Sequence, residues 1–285
     1  MSESTRLNKY ISDTGFCSRR EADKYIADGR VTLNGKIPEV GTKVTDSDVV
    51  EIDGKPLKAK PKAVFIAYNK PVGVTCTTEL NIRSNIISAI NHPERIFPIG
   101  RLDRPSEGLI FLTNEGDIVN KILRAGNNHE KEYLVTVDKA ISPQFIKKMG
   151  AGVPILGTVT KQCKVTQVSS HGFNIVLTQG LNRQIRRMCE FLGYEVVTLK
   201  RVRIMNIDLT GLRSGQWRNL TDKEMAIINR SIEGSGKTEE LSVDPNKNKN
   251  FKKPVKKQFD EPEQTMKTQA VRVIKKGTLS LNRKK

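Results

Sequence analysis

Five short runs of β-branched, aromatic and aliphatic residues constrain the fold of this chain most strongly. They lie between residues 64 and 199 and read VFIAY, GLIFLTN, EYLVTVD, FNIVLT and YEVVTL. Each has the length and composition of a strand that is buried on at least one side. After the second run, DIVNKILRAG places Ile118 and Ile122 behind Asp117, which predicts a helix capped by that aspartate. Strands separated by helices as well as by hairpin-like turns predict an α+β domain with a mixed, largely antiparallel sheet.

A smaller unit over residues 5–53 precedes these strands. Its segment SRREADKYIADG begins with a capping box of Ser18 and Glu21 and ends at Gly29, so it predicts a short helix. The residues that follow alternate short β-rich runs with Asn-Gly and Asp-Gly turns. Residues 54–63 are rich in lysine and proline and have no periodicity, which indicates a linker.

These segments predict three regions, with boundaries at 1–60 for a small N-terminal domain, 61–234 for the main domain and 235–285 for a tail. Residues 236–285 contain 14 Lys and Arg against six Asp and Glu and few large apolar side chains, which predicts a disordered basic tail. The whole chain carries a net charge of +18. Because the tail accounts for only +8 of it, the body is basic as well, and a polyanionic partner is expected.

Several classes of protein are disfavoured by what the sequence lacks. Its four cysteines form no Cys-x-x-Cys pair and its three histidines lie far apart, so no zinc-site spacing can be assembled. The start MSESTRLNKY has no apolar core of a signal peptide, and no run approaches eighteen apolar residues. We therefore expect a cytoplasmic protein with reduced thiols and no membrane partner. No phosphate-binding or dinucleotide-binding glycine motif occurs, and no cofactor or metal is expected.

Basic residues cluster on the predicted N-terminal helix. Arg19, Arg20 and Lys24 lie away from its apolar positions, and a single cluster of three charges is most simply an ordinary solvated face. The longer stretch RLNKYISDTGFCSRREADKYIADGRVTLNGK, which also contains Arg6 and Lys9, closely resembles the S4-like RNA-binding domain. In that family two helices and the following β-turn contact structured RNA through its shape and its phosphates. The resemblance implies that these five residues contact RNA.

A second basic surface is predicted in GLNRQIRRMCEFLGYEV. Ile185, Met188 and Cys189 follow helical spacing and form an apolar stripe, and Gly193 ends the helix. The opposite side of the helix and the residues beyond it carry basic side chains: Arg183, Arg186, Arg187, Lys200, Arg201 and Arg203. This set predicts a phosphate-binding surface, with a solvated charged face as the alternative.

An aspartate in GRLDRPSEGLIFLTN is the first candidate for chemistry. Asp103 lies directly before a buried strand, where active-site residues are often found, and its neighbours Arg101 and Arg104 are expected to contact RNA. The same residues are equally typical of a surface turn. A second candidate is Tyr133 in KEYLVTV, which shares a strand face with two valines and would in isolation be a core tyrosine.

Four motifs, taken together in their order, resemble a known enzyme family. NKPVGVTCTT is followed by GRLDRPSEGLIFLTN, KEYLV and GLNRQIRRM, and together they resemble the pseudouridine synthases, specifically the ribosomal small-subunit synthase A family. Members of that family carry an N-terminal S4-like domain, and the resemblance extends from about Arg6 to Arg230. The spacings around KILRAGNNHEKEYLVTV and GVPILGTVTKQCKV are most similar to the branch that acts on large-subunit ribosomal RNA.

The resemblance implies roles for individual residues. Asp103 would be the catalytic carboxylate, which either attacks the sugar or removes a ribose proton. Arg186 would pair with it, and Tyr133 would pack on the target base and assist removal of the carbon-bound proton. Either Leu199 or Ile204 would close the pocket. Because the glycosidic bond of a paired uridine is buried, the target base is expected to be flipped out.

The expected substrate is therefore ribosomal RNA, of the large subunit first, with small-subunit RNA or a tRNA uridine as the alternatives, and the protein is expected to be a monomer. Two other classes of protein fit the sequence less well. A non-catalytic ribosome-assembly factor needs only the RNA-binding unit and tail, and leaves the motif contexts of Asp103, Tyr133 and Arg186 without a purpose. A metal-dependent nuclease would need clustered carboxylates, whereas Glu107 and Asp117 are typical of turn and cap positions.

Overall fold

The structure, a computed structural model, describes residues 4–124 and 128–233. The described chain contains seven helices: α1 (Leu7–Asp13), α2 (Arg19–Ala27), α3 (Ile86–Ile90), α4 (Gly116–Leu123), α5 (Pro143–Ala151), α6 (Gln184–Phe191) and α7 (Asp222–Ile232). The predicted tail lies outside the described residues.

Strands make up the rest of the regular structure in the described chain. The short strands of the N-terminal part are β1 (Thr5–Arg6), β2 (Val31–Leu33), β3 (Lys43–Val44), β4 (Val50–Ile52) and β5 (Lys55–Pro56). The strands that follow are β6 (Phe65–Lys70), β7 (Phe97–Ile99), β8 (Glu107–Thr113), β9 (Lys131–Val137), β10 (Pro154–Ile155), β11 (Thr158–Val159), β12 (Lys164–Gln167), β13 (Gly172–Leu177), β14 (Val196–Ile204), β15 (Ile207–Asp208) and β16 (Trp217–Asn219).

The N-terminal unit packs α1 and α2 against its short strands. Ser18 and Glu21 form the predicted capping box of α2, and Gly29 follows the helix with a φ of +68°, in the left-handed region where glycine is favoured. The core of this unit is separate from those of the main sheet and includes Leu7, Ile11, Ala22, Ile26 and Val31. The interpretation of residues 54–63 as a linker is wrong at its start, because β5 pairs with β4 as a hairpin and Leu57 packs against this core.

A nine-stranded mixed sheet organises the main part of the chain. Its order is β12-β13-β9-β14-β8-β6-β16, with β15 paired to β14 and β7 paired to β8. Within the described chain, β14 and β8 run parallel and the other neighbours in this sheet are antiparallel. This confirms the predicted α+β class and the largely antiparallel sheet.

The parallel pair brings two backbones unusually close. Gly108 of β8 lies beside Arg201 of β14, and a Cβ added at Gly108 would meet the Arg201 carbonyl oxygen at 2.2 Å. Gly108 also has a φ of +105°. Only glycine fits both requirements, since it has no Cβ and tolerates positive φ. The loop before β8 is thereby anchored to the middle of the sheet.

Helices cover both faces of this sheet. On β8, Leu109 and Phe111 pack with α4 and α7, whereas Ile110 and Leu112 pack on the other face with α3, as the two-residue alternation of a strand requires. A further cluster packs α5 and α6 against β9, β13 and β14. Tyr133 contacts both this cluster and the one around α3, so it lies where two cores meet.

Two sequence expectations about helices need correction. Helix α4 forms as predicted, but its N-cap is Glu115 and not Asp117, which lies in the first turn. Arg183, which the spacing placed on the basic side of the helix, is instead the N-cap of α6, which begins at Gln184, and it adopts a left-handed φ of +49°. Its apolar stripe of Ile185, Met188 and Cys189 is buried as expected.

Candidate active site

A cavity of about 100 Å³ opens on the main sheet between four elements. Its walls come from the loop between β7 and β8, from β9, from the N-terminal end of α6 and from β14. The residues that line it are Arg101, Leu102, Asp103, Ser106, Tyr133, Leu177, Gly180, Leu181, Arg183, Gln184, Ile185, Arg186 and Leu199. Three sequence motifs that are far apart along the chain therefore meet at one place.

Asp103 is both a turn residue and a cavity residue. Its backbone carbonyl accepts a hydrogen bond from the Ser106 amide at 3.0 Å, which closes the turn predicted for this segment. Its carboxylate is used differently, because it lines the cavity with its side chain 35% exposed. The two interpretations of the motif are thus compatible, since the backbone of Asp103 forms the turn and its carboxylate faces the cavity.

The loop that carries Asp103 is tied to the earlier motif NKPVGVTC. The Gly73 amide donates to the Arg104 carbonyl at 2.8 Å, and Arg104 Nε donates back to the Gly73 carbonyl at 3.1 Å. Nearby, the fully buried Lys70 donates from Nζ to the carbonyls of Pro71 and Val74, both at 2.9 Å. Burial lowers the pKa of Lys70. The NKPVGVTC motif therefore acts as a brace under the Asp103 loop.

Two arginines of α6 and its N-cap approach the Asp103 carboxylate. Arg183 Nη1 lies 3.3 Å from Asp103 Oδ2 and donates a hydrogen bond to it. Arg186 Nε lies 3.9 Å from the same oxygen, an ion pair but too long for a hydrogen bond. The sequence singled out Arg186 as the partner of Asp103, and the shorter contact belongs to Arg183.

Arg186 is held in place by other contacts. Its Nη1 donates to the Val196 carbonyl at 3.1 Å and its Nη2 to Ser106 Oγ at 3.2 Å. Burial, followed by the neighbouring Arg183, lowers the pKa of Arg186. Its buried Nε has no hydrogen-bond partner among the described residues. The fork of Arg186 thus joins the Asp103 loop to β14 and leaves one donor beside the carboxylate.

Tyr133 and Leu199 line the cavity from adjacent strands. The register of β9 and β14 pairs Tyr133 with Arg201 and Val135 with Leu199, so these side chains share a face of the sheet. Of the two aliphatic candidates, Leu199 lines the cavity, whereas Ile204 belongs to the core beside α4 and α7. The sequence could not choose between them because it does not show which face of the strand borders the cavity.

The predicted RNA-contacting arginines of β14 are used inside the protein. Arg201 is only 4% exposed, and its Nε donates to the buried Leu109 carbonyl at 2.6 Å. Its guanidinium carbon lies 6.0 Å from the centre of the Tyr133 ring. Arg203 donates to Glu132 at 2.7 Å and to Glu130 at 2.9 Å. Arg201 therefore lies in the sheet interior and not on the surface that the sequence predicted for it.

The other predicted RNA contacts divide into exposed and paired side chains. The exposed ones are Arg6, Arg19, Arg20, Lys24, Arg101 and Arg104. Arg187 is half-buried and donates to Asn182. Lys9 forms ion pairs with Asp13 of its own helix and with Asp117 of α4, so it links the N-terminal unit to the main sheet instead of facing solvent alone.

Several cavity residues were not found from the sequence. Ser106, Gln184 and Leu181 line the cavity, and the buried Lys131 lies two residues before Tyr133. Burial, with a smaller contribution from Arg201, lowers the pKa of Lys131 to about 8. No periodic signal marks these positions. Glutamine and lysine are normally exposed, and only the fold shows that these two are not.

Acidic residues near Asp103 in the sequence form ion pairs with lysines. Glu115 pairs with Lys60, and Asp117 pairs with Lys9. Among residues 4–124 and 128–233, no group of three or more His, Cys, Asp or Glu is arranged to hold a metal ion. In the same part of the chain, none of the helices has the length and apolarity needed to cross a membrane.

Comparisons with known proteins match both parts of the described chain. The family model described as RNA pseudouridylate synthase matches residues 64–191, and the S4 domain model matches residues 5–50. The dual-specificity RNA pseudouridine synthases RluF of Salmonella typhi and Escherichia coli K12 are 60% and 59% identical over 234 residues, with 81% of this chain and 81% of each relative covered.

More distant relatives are also pseudouridine synthases by name. The ribosomal large subunit pseudouridine synthase B of Bacillus subtilis is 35% identical over 242 residues, covering 81% of this chain and 98% of that protein. A crystal structure of a pseudouridylate synthase superposes with a TM-score of 0.58 at 27% identity, covering 78% of this chain and 99% of the other.

Proposed function

Because the chain belongs to the small-subunit synthase A family of RNA pseudouridine synthases, we propose that it converts a specific uridine of large-subunit ribosomal RNA into pseudouridine. The enzyme class is that of its relatives, an RNA pseudouridine synthase. The choice of RNA is supported by the name of the Bacillus subtilis relative, which specifies the large ribosomal subunit. The name of the RluF relatives, dual-specificity, supports a second RNA class, for which we propose a tRNA.

The reaction needs a carboxylate placed beside a ribose. Isomerisation breaks the bond between the ribose and the ring nitrogen, turns the base and rejoins it through a carbon, with no net oxidation and no group transferred. Asp103 serves this step either by attacking the sugar or by removing a ribose proton. Both routes need the ionised carboxylate, and the guanidinium groups of Arg183 and Arg186 lie 3.3 and 3.9 Å from its Oδ2.

The single observation that carries this assignment is the convergence of Asp103, Tyr133 and the two arginines on one cavity. Because the glycosidic bond of a paired uridine is buried in its helix, the target uridine enters this cavity flipped out. Tyr133 packs against the base from β9, and Leu199 closes the pocket from β14.

Arg186 adjusts when the substrate binds. Its contact with Asp103 at 3.9 Å is long, and catalytic hydrogen bonds in unliganded enzymes often tighten only in the substrate complex. Its other two nitrogens remain on Val196 and Ser106, so a small movement suffices.

The rest of the chain serves recognition. Residues 1–60 dock the RNA, 61–234 perform the reaction, and the basic tail 235–285 raises affinity by neutralising phosphates. The enzyme acts as a monomer in the cytoplasm, where its ribosomal RNA substrate is found.

One experiment tests both the reaction and the RNA class. The purified protein is incubated with unmodified transcripts of large-subunit rRNA, small-subunit rRNA and tRNA, and pseudouridine is mapped at nucleotide resolution. We expect one modified site in the large-subunit transcript, a second in tRNA, and unchanged turnover in EDTA. Modification confined to small-subunit RNA would overturn the substrate assignment. Cleavage in place of isomerisation, lost in EDTA, would instead indicate the nuclease.

A further inference from the structure

A second cavity, of about 610 Å³, lies where the N-terminal unit meets the main sheet. We call it the junction groove. One wall consists of the turn between α1 and α2 and of the β4–β5 hairpin with the residues after it, and the other wall is residues 93–95, just before β7. It shares no lining residue with the Asp103 cavity. The groove is therefore a separate feature that the reaction itself does not use.

An exposed aromatic ring forms part of the first wall. Phe16 is 49% exposed, although phenylalanine is among the residue types that are most often buried. It is supported by Tyr25, which it meets edge to face at 5.5 Å between ring centres. Tyr25 in turn lies under the guanidinium of Arg30 at 4.3 Å. Phe16 is thus held in place by a packed column and presents a fixed apolar surface to the groove.

Cationic side chains line the same groove as this ring. Lys55, Lys58 and Arg95 line the groove, and none of them forms an ion pair with a carboxylate of the described chain. Asp53 is an acidic neighbour, but both of its oxygens accept hydrogen bonds from Arg30, at 2.9 and 2.6 Å. Glu94 remains as the one acidic lining residue without such a partner among the described residues. The groove therefore combines an excess of cationic side chains with an aromatic platform.

These two features select the occupant. Grooves that bind single-stranded nucleic acid pair cationic side chains, which follow the phosphates, with aromatic rings on which unpaired bases stack. An acidic peptide would satisfy the lysines but would leave Phe16 without a flat partner. A duplex would satisfy the charge but presents no free base face.

We propose that the junction groove binds an unpaired nucleotide of the RNA substrate, with its base stacked on Phe16 and its phosphates neutralised by Lys55, Lys58 and Arg95. This rests on the proposed function only in that the substrate is RNA. Because Arg95 precedes β7 and Phe16 belongs to the N-terminal unit, a nucleotide bound there contacts both units at once. The groove thereby sets the position of the RNA on both.

The test is the affinity of the full-length chain for fluorescein-labelled ten-nucleotide oligouridine and for a ten-base-pair RNA duplex. Phe16→Leu should weaken binding of the single strand about 5- to 140-fold, the effect of one lost base stack, and leave the duplex nearly unchanged. Phe16→Tyr, which keeps the ring, should bind like the parent protein. Lys58→Gln should lower the salt slope of single-strand binding by about 0.7.

A matched control is Lys147→Gln, an equal change of charge at an exposed position of α5 outside the groove. It should leave single-strand affinity within twofold of the parent. Thermal melting of each variant confirms that it is folded, and a variant with a lowered melting temperature is replaced by Phe16→Met. Unchanged single-strand binding by folded Phe16→Leu would overturn the proposal. So would competition by oligoglutamate as effective as that by oligouridine of equal charge, because the groove would then recognise charge alone.

The outcome is independent of which RNA is modified. If the parent protein binds oligouridine through Phe16 but modifies no large-subunit transcript, the substrate assignment fails and the groove stands. If it modifies that transcript and Phe16→Leu binds oligouridine normally, the groove fails and the substrate assignment stands.

Discussion

The basic residues of β14 and those of α2 differ in what they contact. On β14, Arg201 donates to a buried carbonyl and Arg203 to two glutamates, so their charges are used within the sheet. On α2, Arg19 and Arg20 are exposed and form no ion pair with a described carboxylate. The same residue type therefore stabilises the fold in one region and is available to a polyanion in the other. The burial and the partners of each side chain, and not its charge, decide whether it stabilises the fold or can bind a polyanion.

The Asp103 cavity combines both uses, since Arg186 is half-buried and braced while Arg183 is partly exposed beside the carboxylate. The predictions below test whether the interior residues control activity and stability while the exterior ones control RNA affinity. A result that exchanged these effects would break the comparison.

Asp103→Asn should produce the largest effect. It preserves the shape of the side chain and the turn made by its backbone, but removes the charge that both chemical routes require. The rate of pseudouridine formation should fall about 100- to 10,000-fold, the usual contribution of a catalytic acid or base, while RNA affinity changes less than twofold. Substantial turnover by a folded Asp103→Asn protein would return this residue to a turn without catalytic role. Asp46→Asn, at an exposed position, is the matched control.

Arg186→Lys should have the next largest effect. Lysine keeps the charge but cannot hold Val196 and Ser106 while also facing Asp103, because it lacks the planar fork. We expect kcat to fall about 10- to 100-fold, with KM nearly constant, in single-turnover and steady-state assays. Arg183→Lys should cost less, since the side chain of Arg183 hydrogen-bonds only to the Asp103 carboxylate among the described residues. The reverse order would mean that Arg183 is the principal partner.

Arg201→Met should act on the fold and not on RNA affinity. The methionine fills the space but leaves the buried Leu109 carbonyl without its donor, which costs about 1–3 kcal/mol of unfolding free energy. Denaturant unfolding measures this loss, and the salt dependence of RNA binding should not change. A reduced salt slope with unchanged stability would restore the phosphate-binding role that the sequence predicted for Arg201.

Much of this organisation follows from local sequence signals. The capping box of α2, the apolar stripe of α6 and all five strand runs are found in the structure, because each depends on side chains a few residues apart. Asp103, Tyr133 and Arg186 were grouped only through the family resemblance, and the cavity brings them together. Their catalytic roles stay predictions.

What could not be predicted depends on contacts between distant segments. The burial of Lys70, Lys131 and Arg201 follows from neighbouring strands in the sheet, and a lysine in isolation reads as exposed. Helix α3 was missed because it has only five residues. Helices α5 and α7 were missed although each has a local start signal, the N-cap Ser142 before Pro143 and the capping box of Thr221 and Glu224. The boundaries at 1–60, 61–234 and 235–285 stay predictions. Activity and RNA affinity of fragments that end at these positions would test them.

Arg20→Gln should have a modest effect confined to RNA binding. Loss of one phosphate contact lowers the slope of log affinity against log salt by about 0.7 to 0.9 and weakens binding several-fold at low salt. Stability should stay within about 0.5 kcal/mol, since the side chain is exposed. A lowered melting temperature without any change in affinity would place Arg20 with the structural arginines of β14.

Lys9→Met should give the smallest effect and is the finest test of the comparison, because Lys9 was expected to contact RNA and instead joins α1 to α4. It pairs with Asp13 and, at 3.3 Å, with Asp117, and the side chains of this network are partly exposed.

Burial opposes the charge of Lys9, but the hydrogen bond and attraction of Asp13 prevail, and the pKa of Lys9 is raised above 10.5. A raised lysine pKa stabilises the folded state below about pH 10.5, and this contribution is lost as the pH rises through the folded pKa. We therefore expect Lys9→Met to lower the unfolding free energy at pH 7 by less than about 1 kcal/mol and to leave the salt slope of RNA binding unchanged. The loss of stability should be smaller at high salt or at a pH above the folded pKa of Lys9. A fall in that slope without loss of stability would return Lys9 to the RNA-facing group.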